Sequence, residues 1–124
     1  MIETAIGTME FNTGFKIQDN IIFCGVSNTI VIKAKAYFEK DGITEKQRKM
    51  IQKYSDNKSQ IGDIITEVVS KYDINAKSRF VPKTLLFGRD GECALLCDDN
   101  REPDEGIAVC IYPREEVISQ DDYL

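Results

Sequence analysis

Residues 29–54 read TIVIKAKAYFEKDGITEKQRKMIQKY, and the spacing of apolar residues changes within this stretch. Before Gly42, apolar and polar residues alternate, which is typical of a strand with one buried face. After Gly42, Met50, Ile51 and Tyr54 recur at helical spacing. The stretch therefore predicts a strand followed by a helix. The strand residues expected to face the core are Ile30, Ile32, Ala34 and Ala36.

The predicted helix has a recognisable start. Thr44 followed by Gln47 has the form of a capping box, in which each side chain bonds the backbone N–H of the other residue. A second apolar stripe begins at Ile61, in phase with the first, and the polar segment SDNKS (55–59) separates the two. We therefore expect either one long helix or two helices nearly in line, bent at 55–59.

Strand patterns lie upstream of the helix. Turn signals occur at FNTGF (11–15), IQDNI (17–21) and GVSN (25–28), because Asn, Asp and Gly between apolar residues favour tight turns. These signals divide the first 38 residues into four short strands.

Strand patterns also return after the helix. KTLLFGRDGECALLC (83–97) contains Asp90-Gly91, a pair that favours a two-residue type I′ hairpin turn. GIAVCIYP (106–113) is apolar on both faces, as expected of a central strand. EEVISQDDYL (115–124) is expected to form a short edge strand or an ordered tail. The two-residue turn would set Arg89 opposite Glu92, Leu86 opposite Leu95 and Phe87 opposite Ala94.

The order of these patterns predicts the fold class. Residues 1–124 are expected to form a single α+β domain, since the chain has the length of one domain and shows no linker or repeat. Its mostly antiparallel sheet would combine N-terminal and C-terminal strands, in the order β-β-β-β-α(α)-β-β-β, and pack against one long helix or two in-line helices.

The composition restricts the chemistry. The chain has no histidine, which excludes serine triads, Cys–His pairs and zinc sites that need an imidazole. Its four cysteines lack paired CxxC spacing, and Cys93 and Cys97 would lie about 13 Å apart on a strand. We expect them, like Cys24 and Cys110, to be free thiols acting as small buried apolar groups. No catalytic residue, metal site or cofactor is predicted.

Negative charge is concentrated near the C-terminus. The net charge is −5, yet residues 98–124 hold nine acids against two arginines. The segment CDDNREPDEGI (97–107) does not fit a calcium-binding EF-hand, because Pro103 and Val109 occupy the positions that need Gly and Glu. Such an acidic field repels nucleic acid and attracts basic proteins. The acids predicted to contact a partner are Asp98, Asp99, Glu102, Asp104 and Glu105.

Several short motifs in residues 43–124 resemble those of a family of small bacterial domains. These motifs are the Thr-Glu-x-Gln helix start, Asp90-Gly91, Asp98-Asp99, Gly-Ile-Ala-Val at 106–109 and the Ser119-Gln120-Asp121 ending. The family has no assigned activity, and its members occur among the immunity proteins of polymorphic and contact-dependent toxin systems. The resemblance implies an α+β fold and a partner that is a toxin.

The resulting hypothesis is a non-enzymatic binding protein in the cytoplasm. It would be an immunity protein that neutralises a basic, nuclease-like toxin domain through the acidic segment. We expect no nucleic-acid partner and no membrane association, and the sequence does not indicate an oligomeric state. Two alternatives remain open: a regulatory or structural interaction domain with another partner, and an enzyme that depends on carboxylates or cysteine. The acids of the segment could also form only a solvated turn that keeps the protein soluble.

Overall fold

The computed structural model describes all residues from Met1 to Leu124. A 3-10 turn at Glu39–Asp41 follows the first four strands and leads into the helices. The strands are β1 (Ile2–Thr4), β2 (Gly7–Phe11), β3 (Phe15–Phe23), β4 (Val26–Ala34), β5 (Phe80–Phe87), β6 (Cys93–Asp99), β7 (Gly106–Tyr112) and β8 (Glu116–Ser119). The helices are α1 (Glu45–Asp56), α2 (Lys58–Tyr72), α3 (Ala76–Arg79) and α4 (Gln120–Tyr123).

All eight strands form one sheet in which the spatial order follows the chain order. Neighbouring strands are antiparallel except β4 and β5, which pair in parallel from Val31–Thr84 to Ala34–Phe87. The parallel pair requires a crossover connection, and α1 to α3 supply it. The predicted α+β class and its order of strands, helices and strands are confirmed.

The helices begin and break where the sequence indicates. The Thr44 hydroxyl accepts the N–H of Gln47 at 3.0 Å, and the Gln47 amide oxygen accepts the N–H of Thr44 at 2.8 Å. A single non-helical residue, Asn57, separates α1 from α2. The predicted pair of helices nearly in line is therefore confirmed. Their buried apolar residues are Met50, Ile51, Tyr54, Ile61, Ile65 and Val69.

The two faces of the sheet are covered unequally. The face under α1 and α2 carries the main core, which includes Ile30, Ile32 and Ala34 as expected. We call the opposite side the open face. There a small cluster of Ala94, Ala108 and Cys110 packs against Leu96, Ile118 and Tyr123, and α4 lies over this part of the face. The C-terminal segment thus forms both the edge strand β8 and a short helix.

The hairpin between β5 and β6 differs from the expectation. Leu86 pairs with Ala94, Phe87 with Cys93 and Leu85 with Leu95, one residue away from the predicted register. The loop has three residues, Arg89 to Gly91: Gly88 accepts from the N–H of Gly91 at 3.0 Å and donates to Glu92 at 2.8 Å. Only Gly91 has positive φ, so the turn is a type I turn with a glycine bulge, not type I′. The predicted Leu86–Leu95, Phe87–Ala94 and Arg89–Glu92 pairs are wrong.

Arg89 instead joins the hairpin to the start of α1. Its Nη1 donates to the carbonyl oxygens of Lys35 at 3.0 Å and Gly42 at 2.7 Å, and its own carbonyl accepts the Thr44 hydroxyl at 2.7 Å. Arg89 therefore bonds residues that are distant along the chain and forms no ion pair with Glu92. The three-residue loop, one residue longer than predicted, thus links the β5–β6 hairpin to the start of α1.

Of the three turns predicted for the first four strands, one lies where the sequence indicates, one is displaced and one is absent. FNTGF turns the chain between β2 and β3. The next turn lies at Cys24-Gly25, so only Gly25 of GVSN belongs to it and Val26 already begins β4. Cys24 and Gly25 both have positive φ and connect the paired residues Phe23 and Val26, which is the type I′ geometry. IQDNI forms no turn, because residues 17–21 run through the middle of β3.

Candidate functional site

The acidic segment forms the loop between β6 and β7, at one end of the sheet. Asp98 pairs with Gly106 on β7, and Asp99 pairs with Phe80 at the start of β5. The acidic loop, residues 98–105, therefore projects from the end of the sheet at which α3 leads into β5. The sequence identified this segment but not the elements that surround it.

Asp99 is the anchor of the acidic loop. Its side chain accepts two bonds from Arg79 of α3, from Nε at 3.0 Å and from Nη2 at 2.8 Å, and the residue is only 5% exposed. Arg79 also donates from Nη1 to Asp73 at 2.8 Å. Hydrogen bonding to Arg79 lowers the pKa of both carboxyl groups below their usual value. Asp99 is thus occupied within the protein and does not present itself to a partner.

Backbone contacts hold the rest of the loop. The N–H of Asn100 donates to the carbonyl of Arg79 at 2.8 Å, and its side-chain amide donates to Ser78 at 3.1 Å. The N–H of Arg101 donates to the Asp99 carboxylate at 2.9 Å, and that of Glu105 donates to the Glu102 carbonyl at 2.9 Å. These four N–H donors all have acceptors within the protein although the segment belongs to no helix or strand ladder. The loop therefore has a defined conformation.

The base of the loop is closed from the opposite side by α4. Gln120 donates from Nε2 to the carbonyl of Cys97 at 2.8 Å and makes a longer bond to Ile107 at 3.4 Å. Gly106 makes room for this contact: a Cβ there would lie 2.7 Å from the Cys97 oxygen and would overlap the Gln120 amide. Sequence reasoning missed Gln120, Arg79 and Asp73, since none of them is close to the loop along the chain.

The other four acids of the predicted set are exposed: Asp98, Glu102, Asp104 and Glu105. No basic side chain forms an ion pair with any of them; the nearby Arg101 reaches Asp73 at 3.7 Å instead. The hydrogen bond and charge of Glu102, with a smaller contribution from Asp121 of α4, raise the pKa of Glu105. The loop therefore displays like charges without compensation from the protein itself.

The cysteines offer no activated nucleophile. Cys93, Cys97 and Cys110 are buried and Cys24 is half-buried, and all four are free thiols. Burial raises the pKa of each thiol, which keeps it protonated at neutral pH. A reactive cysteine needs the opposite shift, so this arrangement disfavours the cysteine-dependent alternative.

One further cluster joins titratable groups from different elements. Asp19 of β3 accepts from Lys58 at 2.7 Å and from the Tyr54 hydroxyl at 3.0 Å. Each group has its partner within the protein, and burial raises the pKa of the Tyr54 hydroxyl. The cluster ties α1 and α2 to the sheet and leaves no free base or nucleophile. No group of three or more Cys, Asp or Glu side chains is arranged to hold a metal ion.

No helix of the chain has the length and apolar character needed to cross a bilayer. Comparison with known proteins adds no assignment, since no family model, no curated protein and no solved structure matches this chain. Function is therefore argued from the acidic loop and its surroundings.

Proposed function

We propose that this chain is a non-enzymatic binding protein, an immunity protein that neutralises a basic, nuclease-like toxin domain by covering its substrate-binding surface. The observation that carries the proposal is the acidic loop, where the ion pair of the buried Asp99 with the half-buried Arg79 holds a segment that exposes four unpaired acids. The resemblance of the motifs in residues 43–124 to domains found among toxin immunity proteins points the same way.

Preorganisation is the first physical argument. A flexible acidic loop would lose conformational entropy when it bound a partner, and that loss would weaken the complex. Here the contacts of Asp99, Asn100 and Arg101 order the loop when the protein folds, so that little conformational entropy is left to lose on binding. A loop fixed before the encounter supports tight binding of one partner.

The uncompensated charge is the second argument. Glu102 and Glu105 lie close enough that the hydrogen bond and the charge of Glu102 both raise the pKa of Glu105. Lysine or arginine side chains of a partner would neutralise these acids. They would bind the carboxylates of the loop in place of phosphate groups. Nucleases present such basic surfaces because they bind the phosphate backbone. Long-range attraction between the two surfaces would also speed association.

The test uses a charge-matched pair of variants. The loop variant carries Asp98→Asn, Glu102→Gln, Asp104→Asn and Glu105→Gln. The control carries Glu10→Gln, Glu45→Gln, Asp63→Asn and Asp90→Asn, which are exposed acids outside the loop and outside every ion pair. Both variants change the net charge equally, so a difference between them reports the position of the charges.

The tagged proteins are incubated with native cytosol at low and high salt, and captured chains are identified by mass spectrometry. We expect the natural chain and the control to capture a basic toxin domain and to inhibit its nuclease activity. The loop variant should associate about tenfold more slowly or worse at low salt, with a flatter dependence on salt. Equal capture and inhibition by both variants would refute the role of the loop, and a captured partner without toxin activity would refute the immunity function.

A further inference from the structure

A second group of like charges lies on the open face of the sheet. Lys16 of β3 and Lys33 of β4 are directly opposite each other in the strand register, and Lys35 follows immediately after β4. We call these three residues the lysine patch. Lys33 is opposite Leu86 near the end of β5, whereas Asp99 is opposite the first residue of that strand. The patch and the acidic loop are thus roughly 20 Å apart at the usual strand rise.

Two hollows meet at the lysine patch. The larger has a volume of about 540 Å³, and the smaller has about 330 Å³. Lys33 and Lys35 line both hollows, and Lys16 lines the smaller one. Volumes of this size are typical of sites for small molecules. The larger hollow is also lined by Thr13, Ala36, Tyr37, Asp41 and Arg89.

The three lysines of the patch form no ion pair with an acidic group of the protein. Lys16 bonds only the Thr13 hydroxyl, at 3.2 Å. Like charges directly opposite on neighbouring strands are destabilising. Partial burial lowers the pKa of Lys33, and the charges of Lys16 and Lys35 lower it further. Asp41, in the wall of the larger hollow, already accepts the N–H of Phe38 at 3.1 Å. Leu124 lines the smaller hollow, and its α-carboxylate forms no ion pair with a lysine.

The turn before β3 sets the position of the Lys33 side chain. Gly14 has φ +123°, and a Cβ at that position would lie 2.7 Å from Cε of Lys33 and 3.2 Å from the Ala34 oxygen. The absence of a side chain at residue 14 therefore lets Lys33 lie against the turn, beside Lys16.

We infer that the lysine patch binds a small polyphosphate ligand of the nucleoside triphosphate type. Ammonium groups from two strands are suited to several phosphate oxygens, which would supply a counter-charge. Tyr37 on the wall of the larger hollow is 90% exposed, and its ring is available to stack on a base. A long nucleic acid is less suitable, since the chain carries a net charge of −5 and its acidic loop would repel an extended phosphate backbone.

The test measures binding of defined probes to the full chain at low ionic strength by calorimetry. We expect saturable binding of ATP, competition by inorganic pyrophosphate and no binding of adenosine. Lys16→Gln with Lys33→Gln should weaken ATP binding about tenfold or more, because charge-assisted hydrogen bonds are lost. Lys77→Gln, at an exposed lysine of α3 without an ion pair, is the control and should leave binding within about twofold.

Two more variants make the result specific. Tyr37→Ala should weaken ATP binding but leave pyrophosphate binding unchanged, because only the nucleoside contacts the ring. Lys35→Gln repeats the charge test without altering the Lys16–Lys33 pair, in case the double variant misfolds. Absence of saturable ATP binding up to about 5 mM would overturn the inference. So would equal binding by the lysine variants and the control, or tighter binding of an RNA oligonucleotide than of ATP.

The lysine patch is independent of the toxin interface proposed above. The loop variant should still bind ATP, and the Lys16→Gln, Lys33→Gln variant should still capture a toxin. Failure of one proposal therefore leaves the other intact.

Discussion

The acidic loop and the lysine patch each group side chains of one charge sign, but the chain holds the two groups in different ways. Each places like charges next to each other without compensation: Glu102 beside Glu105, and Lys16 opposite Lys33. The loop has irregular backbone and is held by the ion pair of Asp99 with the half-buried Arg79. The lysines project from paired strands, whose ladder already fixes their spacing. In this chain, the conformation of the acidic loop thus depends on an arginine outside the loop, whereas the β3–β4 hydrogen bonds already place the lysines.

The largest effect should follow from removing the anchor of the acidic loop. Asp99→Ala leaves Arg79 with one carboxylate partner instead of two, in a site where Asp99 is 5% exposed. We expect a loss of about 1–2 kcal/mol in the free energy of unfolding, measured by urea denaturation, because the hydrogen bonds that Asp99 accepts from Arg79 and from the Arg101 N–H are lost. Asp98→Ala, at the exposed neighbour, should change it by less than about 0.5 kcal/mol. Equal effects would mean that the loop does not depend on its ion pair.

A smaller effect should appear in the dependence of stability on pH. Arg79 lowers the pKa of Asp99 in the folded chain. The ionised carboxylate therefore contributes its full stability at pH values above the pKa of Asp in the unfolded chain, which is about 3.9. That contribution is lost as pH falls through the folded pKa. The stability gap between the natural chain and Asp99→Ala should therefore stay constant from about pH 5 to pH 7 and narrow below about pH 4. Urea denaturation across this range measures the gap, and a gap independent of pH would contradict the expectation.

The smallest effect should come from the lysine patch. Lys33→Gln removes the repulsion from Lys16 and Lys35, so it should raise the free energy of unfolding by a few tenths of a kcal/mol in the absence of ligand. Added salt should reduce the gain, since ions screen the repulsion in the natural chain. Thermal unfolding at two salt concentrations, with Lys77→Gln as control, measures this. A loss of stability would show that Lys33 contributes favourable contacts.

Local patterns predicted most of the fold. The change of apolar spacing after Gly42, the Thr44 capping box and the separation of the two helix stripes all appear in the structure, because each depends on residues within a few positions. The register of the β5–β6 hairpin could not be predicted from Asp90-Gly91 alone. Arg89 bonds backbone atoms of Lys35 and Gly42, which are distant along the chain.

The candidate site was predicted in part for the same reason. Acid density marked residues 98–105, yet Asp99 is indistinguishable in sequence from its neighbours. Its burial depends on Arg79, which lies 20 positions upstream and reaches it only through the pairing of β5 with β6. The lysine patch was missed because Lys16 meets Lys33 only through the β3–β4 register.

The buried Gln47 couples the helices to the parallel pair of strands. Besides capping α1, its Nε2 donates to the carbonyl of Lys35 beyond β4 at 2.9 Å and to Phe87 at the end of β5 at 3.1 Å. A helix start and a strand junction that share one amide gain their full stability together. We therefore expect the start of α1 and the junction of β4 with β5 to loosen together when Gln47 is replaced by a residue without an amide.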